Sequence, residues 1–310
     1  MSTESQELIC TSKRSSLNPV KILYYVVKSL RPKQWTKNLF IFAGLLFSQN
    51  LTNYDMLLTT ISAFGLFCAL SGAVYLLNDL VDIEKDKLHP VKCKRPLASG
   101  RLPKSIAVVV MLILVSGSLL GAYIVGLQFF FVSVGYVVLQ IAYSLYLKHQ
   151  VILDVFSIAS GFALRIIAGA LAINVSMSSW LLICTTMISL FLGFGKRRHE
   201  LASLQGEAVN HRKVLAHYSA YFLDQMIMIV TAATVVAYVL YTISDETVTK
   251  FGTRNLVCTV PFVLYGIFRY LYLIHQKGEG GDPENMIVSD KPLLFTVVLW
   301  VLSVGLILYF

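Results

Sequence analysis

The sequence predicts an all-α polytopic membrane protein with nine transmembrane helices, and two observations carry this prediction. Of the 310 residues, 56% are hydrophobic and only 14% are charged, whereas soluble domains usually carry about 25% charged residues. The apolar residues also form long blocks, and a spanning helix needs roughly 20 of them. We expect the spans at about 36–51, 57–77, 105–125, 128–147, 153–173, 179–195, 225–243, 256–275 and 292–310.

The basic residues predict which side of the membrane each loop faces, because lysine and arginine concentrate in cytoplasmic loops. With the N-terminus in the cytoplasm, 22 of the 26 basic residues fall in cytoplasmic segments, Arg165 and Arg269 fall within helices, and only Lys250 and Arg254 fall outside. Nine spans then place the C-terminus outside. This asymmetry accounts for the net charge of +9, so nucleic acid is not expected as a partner.

The polar stretches between the apolar blocks are too short to hold a soluble domain. The longest of them cover about 78–104 and 196–224. We therefore expect a polar N-terminal tail over residues 1–20 and a single transmembrane domain over residues 21–310.

An acidic segment, residues 78–86, directly follows the second apolar block. Continued as a helix, it places Asn78, Asp82 and Asp86 on one face, with Asp79 one position over. Its oxygen ligands suit Mg²⁺, which binds through one or two carboxylates and substrate phosphates. We expect Mg²⁺, replaceable by Mn²⁺, to be bound by Asn78, Asp79, Asp82, Glu84 and Asp86, and the three aspartates to act in catalysis. The alternative is a solvated, charged helix end.

Two charged residues of the fifth predicted span lie at membrane depth, where charges are costly and usually face a watery cavity. Asp154 and Arg165 are eleven residues apart, which places them on one helix face three turns apart. Asp154 is a candidate for an additional catalytic acid or an orienting group. A buried salt bridge, or charged ends that reach the membrane surface, is the alternative for these residues.

Basic groups gather on the predicted cytoplasmic side, where the acidic segment also lies. Each group alone is explained by topology, but together they indicate an anion site at the membrane surface. The candidate substrate-binding residues are Lys33, Lys37, Asn38, Lys92, Lys94, Arg95, Tyr143, Lys148, Arg165, Lys196, Arg197, Arg198 and Glu200.

The acidic segment, followed by Lys94-Arg95-Pro96-Leu97-Ala98-Ser99-Gly100, resembles the signature of the UbiA-type membrane prenyltransferase superfamily. That resemblance implies a nine-helix UbiA-like bundle with a cytoplasm-facing cavity, in which the first Asp-rich motif binds Mg²⁺-diphosphate. Within the superfamily, the chain is most similar to the decaprenyl-phosphate phosphoribosyltransferases. The stretches that carry this closer resemblance are residues 31–38, 143–148, 161–165, 195–201 and 261–270.

One departure from the wider superfamily pattern supports the closer resemblance. Prenyltransferases of this type carry a second Asp-rich DxxxD motif between the sixth and seventh spans, where this chain has Lys196-Arg197-Arg198-His199-Glu200. A phosphoribosyl donor and a lipid phosphate acceptor bring two additional phosphate groups, which need the additional basic residues.

The resemblance therefore implies a membrane phosphoribosyltransferase. It would move the 5-phosphoribosyl group from phosphoribosyl pyrophosphate to a polyprenyl phosphate of the decaprenyl type, at the plasma (inner) membrane. The product would enter cell-wall arabinan or related glycan precursor synthesis, and a homo-oligomer is compatible with this activity. Two alternatives stay open: a UbiA-type enzyme that prenylates an aromatic or glycerol-phosphate acceptor and, more remotely, a transporter.

Overall fold

A computed structural model of the chain describes residues 18–88, 91–203, 213–278, 280–281 and 283–309. These residues form thirteen α-helices and five 3-10 segments, and no β-strand occurs among them. Most of the tail expected over residues 1–20 lies outside the described residues. The chain divides into two compact units. The expectation of a single domain over residues 21–310 stays a prediction.

The first unit contains the described residues up to Leu147 together with Leu164–Ser176. Its α3 packs along α5, and α3 also contacts α6 and a long 3-10 segment. Apolar side chains fill two clusters, one around Phe67 and one around Leu76. Its elements are α1 (Pro19–Ser29), the 3-10 segment Pro32–Phe42, α2 (Ala43–Phe47), α3 (Tyr54–Val81), α4 (Ile83–Leu88), the 3-10 turn Lys92–Lys94, α5 (Lys104–Val125), α6 (Leu127–Leu145) and the second half of α7 (Leu153–Ala172).

The second unit contains Lys148–Ala163 and the described residues from Met177 onward. In it α8 packs along α9, and α11 packs along α13. Arg269 of α11 donates two hydrogen bonds to Asp290, at 3.1 and 2.8 Å, which ties α11 to the start of α13. Its elements are the first half of α7, α8 (Ser179–Ser203), the 3-10 turn Lys213–His217, α9 (Ala220–Ile243), α10 (Asp245–Phe251), the 3-10 turn Asn255–Thr259, α11 (Val260–Gln276), α12 (Pro283–Ser289) and α13 (Lys291–Tyr309), and the 3-10 turn Leu147–His149 precedes α7.

Short polar side chains set where several helices begin. The first backbone N–H groups of a helix have no partner within it, and a side-chain oxygen just before the helix can accept from them. Asn53 accepts from the backbone of Met56 at the start of α3, at 3.2 Å. Ser219 accepts from the backbone of Phe222 at the start of α9, at 3.1 Å. The sequence thus marks these helix starts locally.

Eight helices among the described residues are long and apolar enough to cross a membrane. They match the second to ninth predicted spans, and the all-α membrane fold class is confirmed. The first predicted span, 36–51, is different: it is built from the 3-10 segment Pro32–Phe42 and the short α2. The eight spans are Tyr54–Val81, Lys104–Val125, Leu127–Leu145, Leu153–Ala172, Ser179–Ala202, Ala220–Ile243, Asn255–Gln276 and Lys291–Tyr309.

The 3-10 segment and α2 still run alongside α3, in the opposite direction. Their 11 and 5 residues rise about 30 Å together, since a 3-10 helix advances about 2 Å per residue and an α-helix about 1.5 Å. That length equals the roughly 30 Å thickness of a hydrocarbon core. From Arg31 to Phe42, successive residues contact α3 progressively nearer its start: Arg31 with Asp79, Asn38 with Ser71, and Phe42 with Phe64.

Close backbone packing holds this segment against the second half of α7. A Cβ atom on Gly169 would lie 1.9 Å from the carbonyl oxygen of Ile41. A Cβ atom on Gly44 would lie 2.9 Å from the backbone of Ala170. Small residues allow helices to approach closely where no hydrophobic effect drives them together. With the segment this close, only glycine fits at position 169.

Gly169→Ala should destabilise the protein by about 1–3 kcal/mol, because the added methyl group forces two backbones apart. The effect is measured as a lowered midpoint of thermal unfolding in detergent. Gly117→Ala is the matched control, since a Cβ atom on Gly117 of α5 meets nothing within 4 Å. Equal midpoints for the two variants would contradict this account of the packing.

Candidate active site

The acidic segment spans the end of α3 and the whole of α4. α3 ends at Val81, yet the helical hydrogen-bond pattern continues past this end. The backbone N–H of Asp82 donates to Asn78 at 3.0 Å, and that of Asp86 donates to Asp82 at 2.8 Å. Asp79 and Asp86, which are seven residues apart, therefore lie on one face, two turns from each other. Their side chains are only 2% and 5% exposed.

Two arginines hold these carboxylates. One guanidinium nitrogen of Arg95 donates to Asp79 at 3.1 Å and to Asp86 at 2.6 Å. Arg31 donates to the same oxygen of Asp79. The four side chains alternate in charge, from Arg31 through Asp79 and Arg95 to Asp86, and we call them the charge cluster. Its acids are buried, and each of its arginines is 29% exposed.

The loop that carries Arg95 is fixed by its own backbone and by burial. The N–H of Arg95 donates to Lys92 at 2.9 Å, and the hydroxyl of Ser99 donates to the carbonyl of Arg95 at 2.7 Å. Leu97 and Leu102 are buried in the apolar cluster around Leu76. The guanidinium of Arg95 is therefore presented to the two aspartates by a shaped loop.

The other predicted metal ligands lie differently. Asp82 is 25% exposed and forms an ion pair with Lys85 at 3.8 Å. Glu84 is 74% exposed and pairs with Lys87 at 3.0 Å. Asn78 is half-buried. The sequence places Asp86 on a face with Asn78 and Asp82, whereas the structure pairs it with Asp79, because Arg95 reaches both carboxylates from the following loop.

The carboxylate oxygens of this cluster fit a divalent metal whose coordination shell is completed by oxygen atoms of the substrate. Among the described residues, no three or more His, Cys, Asp or Glu side chains form a ready-made metal group. Two buried carboxylates that already share one cationic nitrogen are nevertheless suitable for Mg²⁺, which commonly takes one or two carboxylates and draws its other oxygens from phosphates and water. Asp79 and Asp86 are the side chains placed to hold it.

A second polar group in the first unit surrounds Arg165 of α7, which is buried. Its Nε donates to Asn38 at 2.8 Å, and its Nη2 donates to the hydroxyl of Tyr136 at 2.8 Å. Asn38 in turn donates to Ser71 of α3 at 3.1 Å. Two predicted binding residues are thus brought together. Tyr136 is not predicted from the sequence, because a tyrosine within an apolar helix has no distinguishing pattern around it.

A third group, in the second unit, is built on Asp154, whose side chain is fully buried. Arg197, 1% exposed, donates from Nε to Asp154 at 2.7 Å and from Nη1 to Glu200 at 2.7 Å. The hydroxyl of Tyr218 donates to the other oxygen of Asp154 at 2.8 Å. Burial raises the pKa of the Tyr218 phenol, so the hydroxyl keeps the proton that it donates. With both oxygens engaged, Asp154 is suited to orient Arg197.

Tyr218 also connects this group to a strained turn. The N–H of Ile152 donates to the Tyr218 hydroxyl at 2.6 Å, and Ile152 has φ 69°. A β-branched residue rarely adopts that conformation, so the hydrogen bond helps to hold the turn before α7. Tyr218 is not predicted from the sequence either, because it lies within the polar stretch 196–224. Asp154 and Arg165, placed on one helix face by their spacing, have separate partners in their own units.

The remaining predicted binding residues have individual settings. Arg198 pairs with Asp224 at 2.8 Å, and Lys148 is buried. Lys33 and Lys94 are exposed, and the half-buried members are Lys37, Lys92, Tyr143 and Lys196. Their roles in binding stay predictions, as does the cytoplasm-facing cavity.

Comparison with known proteins places the chain in a family. Residues 38–200 match the UbiA prenyltransferase family. A decaprenyl-phosphate phosphoribosyltransferase of Mycolicibacterium smegmatis is 31% identical over 303 residues, which cover 94% of this chain and 95% of that protein. The protein of the same name from Mycobacterium tuberculosis is 32% identical over 291 residues, covering 93% of this chain and 95% of the relative.

A solved structure agrees on the fold. The structure of a UbiA homologue from Archaeoglobus fulgidus bound to GPP and Mg²⁺ has a TM-score of 0.70 to this chain. The match covers 92% of this chain and 100% of that one at 15% identity, so it concerns the fold. From the matched segment, the near full-length relatives and the shared fold, we conclude that the chain belongs to the UbiA prenyltransferase family.

Proposed function

We propose that this membrane transferase moves the 5-phosphoribosyl group from phosphoribosyl pyrophosphate to a polyprenyl phosphate of the decaprenyl type, with release of pyrophosphate. The observation that carries the proposal is the buried Asp79–Asp86 pair beside two arginines. It lies in a chain that is 31% identical, over 94% of its length, to a decaprenyl-phosphate phosphoribosyltransferase. Carboxylates beside guanidinium groups can bind a metal and phosphate oxygens together.

We place the N-terminus and the acidic segment on the cytoplasmic side of the plasma (inner) membrane, and the C-terminus outside. The excess of basic residues in the corresponding loops supports this orientation. Phosphoribosyl pyrophosphate is a soluble, highly charged donor that would reach the charge cluster from the aqueous side. The polyprenyl chain, by contrast, requires an apolar environment between helices.

In the proposed reaction, a phosphate oxygen of the lipid attacks C1 of the ribose. A new C1–O bond forms as the bond from C1 to the diphosphate oxygen breaks, and its electron pair leaves with pyrophosphate. Mg²⁺ held by Asp79 and Asp86, with Asn78, Asp82 and Glu84 as further candidates, would neutralise the leaving group. A lipid phosphate is ionised at neutral pH, so a strong general base is not required. Positioning and charge stabilisation account for the rate.

The basic side chains would position the remaining phosphates. Lys92, Lys94 and Arg95 follow the acidic segment and are candidates for phosphate oxygens beside the metal and for the 5-phosphate of the donor. Further candidates for positioning the anions of the donor and of the lipid are Lys33, Lys37, Lys148 and Lys196–Arg198. The absence of a DxxxD motif between the sixth and seventh spans supports a donor and an acceptor that both carry phosphate. The product would supply cell-wall arabinan or related glycan synthesis.

The direct test compares two substrate pairs on purified protein in lipid. Radiolabelled phosphoribosyl pyrophosphate with a polyprenyl phosphate should give a labelled lipid, resolved by chromatography, while a prenyl diphosphate with an aromatic acceptor should give none. Turnover of the second pair alone would replace the proposal by the prenyltransferase alternative. Turnover of neither pair by folded protein would reject both activities.

Asp82→Ala should reduce transfer by roughly 100-fold or more, because it removes a proposed metal ligand that would help to neutralise the leaving group. Asp82 lies outside the charge cluster and is partly exposed, so membrane insertion and thermal stability should be unchanged. Asp55→Asn is the matched control, since Asp55 is exposed in the first turn of α3, at its other end. Near-normal turnover of Asp82→Ala would exclude this carboxylate from the site.

EDTA should stop turnover, and added Mg²⁺ should restore it, because the diphosphate cannot leave readily without charge neutralisation. We expect Mn²⁺ to restore it as well. The measurement is the initial rate of labelled lipid formation after chelation and re-addition, with Ca²⁺ as a comparison because it is larger and prefers more ligands. Full activity in EDTA would refute a metal-dependent reaction.

A further inference from the structure

Arg31 is a member of the charge cluster and has no assigned role in the proposed reaction. Its backbone conformation is unusual. Its φ is 52°, in the left-handed region that residues with a side chain seldom adopt, and Pro32 follows it. Its guanidinium lies 4.8 Å from the ring centre of Tyr75, in α3. Strained residues persist where the surrounding structure holds them, and they concentrate at functional sites.

The cluster is electrically balanced, with two carboxylates and two guanidinium groups. A bare divalent cation that approaches Asp79 has to compete with Arg31 and Arg95 for the same carboxylates. A diphosphate alone meets arginines whose charge is already compensated. A metal with a diphosphate satisfies all four groups, because the metal takes the carboxylates and the phosphate oxygens take the guanidinium groups.

We propose that Arg31 is a diphosphate-binding residue, and that Arg31 and Arg95 move from the aspartates to the phosphate oxygens when the metal and the diphosphate bind. The arginines are placed for this because each is partly exposed while the acids are buried. The stack on Tyr75 keeps the guanidinium of Arg31 beside the site during the exchange. This inference rests on the proposed function only in taking a diphosphate as ligand.

The proposed exchange predicts that one substitution changes the affinities for metal and for pyrophosphate in opposite directions. In Arg31→Gln, Asp79 loses a competing cation, so Mn²⁺ alone should bind roughly three- to tenfold more tightly than to the parent protein. The same variant lacks a phosphate partner, so pyrophosphate at saturating Mn²⁺ should bind weaker by a similar factor. Metal and diphosphate thus favour each other's binding in the parent, as reciprocal coupling requires.

The experiment uses the full chain in lipid nanodiscs. Binding of Mn²⁺ alone is followed by the loss of the free-ion EPR signal, and binding of radiolabelled inorganic pyrophosphate is followed by filtration. Arg31→Lys keeps the charge and should return Mn²⁺ affinity towards the parent value. Arg101→Gln is the matched control, because it removes one exposed arginine from the loop that carries Arg95, and it should change neither affinity. Thermal unfolding of each variant checks folding.

Tighter Mn²⁺ binding together with weaker pyrophosphate binding in Arg31→Gln supports the exchange. Unchanged or weaker Mn²⁺ binding would overturn it, because Arg31 would then only support Asp79. Tighter Mn²⁺ binding with unchanged pyrophosphate binding would also overturn it. Should Arg31→Gln not fold, Arg95→Gln is tested by the same criteria. Because no sugar or lipid is present, these outcomes do not depend on whether phosphoribosyl transfer is observed.

Discussion

Two carboxylates buried at the end of a membrane-spanning helix and in the short helix after it require positive charge beside them, and much of the first unit is arranged to supply it. A buried ion left alone costs several kcal/mol, so both partners have to be held in place. Arg95 comes from a loop anchored by buried leucines, and Arg31 comes from the turn before the 3-10 segment. The positions of three chain segments are therefore linked through Asp79.

The same constraint explains the other polar groups within the helices. Arg165 is buried against an asparagine and a tyrosine hydroxyl, and Asp154 is buried against Arg197 and Tyr218. Intramembrane charges are expensive and usually functional. Each unit thus holds a guanidinium group in a fixed orientation inside an apolar bundle. Such preoriented charges are suited to stabilise anions without rearrangement during a reaction.

The charge balance of the first unit also suggests how one fold serves different donors and acceptors. A metal site completed by substrate oxygens requires few protein ligands, so an Asp-rich helix end can accept any diphosphate that fits beside it. The choice of substrate then depends on the charges presented elsewhere. In this chain the last turns of α8 carry Lys196, Arg197 and Arg198, which favours phosphorylated partners over a second metal-bound diphosphate.

The amino-acid sequence alone determined the helical membrane class, eight of the spans, the acidic segment and the basic residues around it, because long apolar blocks and clustered charges are local features. Tertiary structure decided the rest. It pairs Asp86 with Asp79, brings in Arg31, Tyr136 and Tyr218, and forms the first predicted span from a 3-10 segment. Those choices depend on contacts between residues far apart in the chain, such as Ile41 with Gly169, and spacing within one segment cannot encode them.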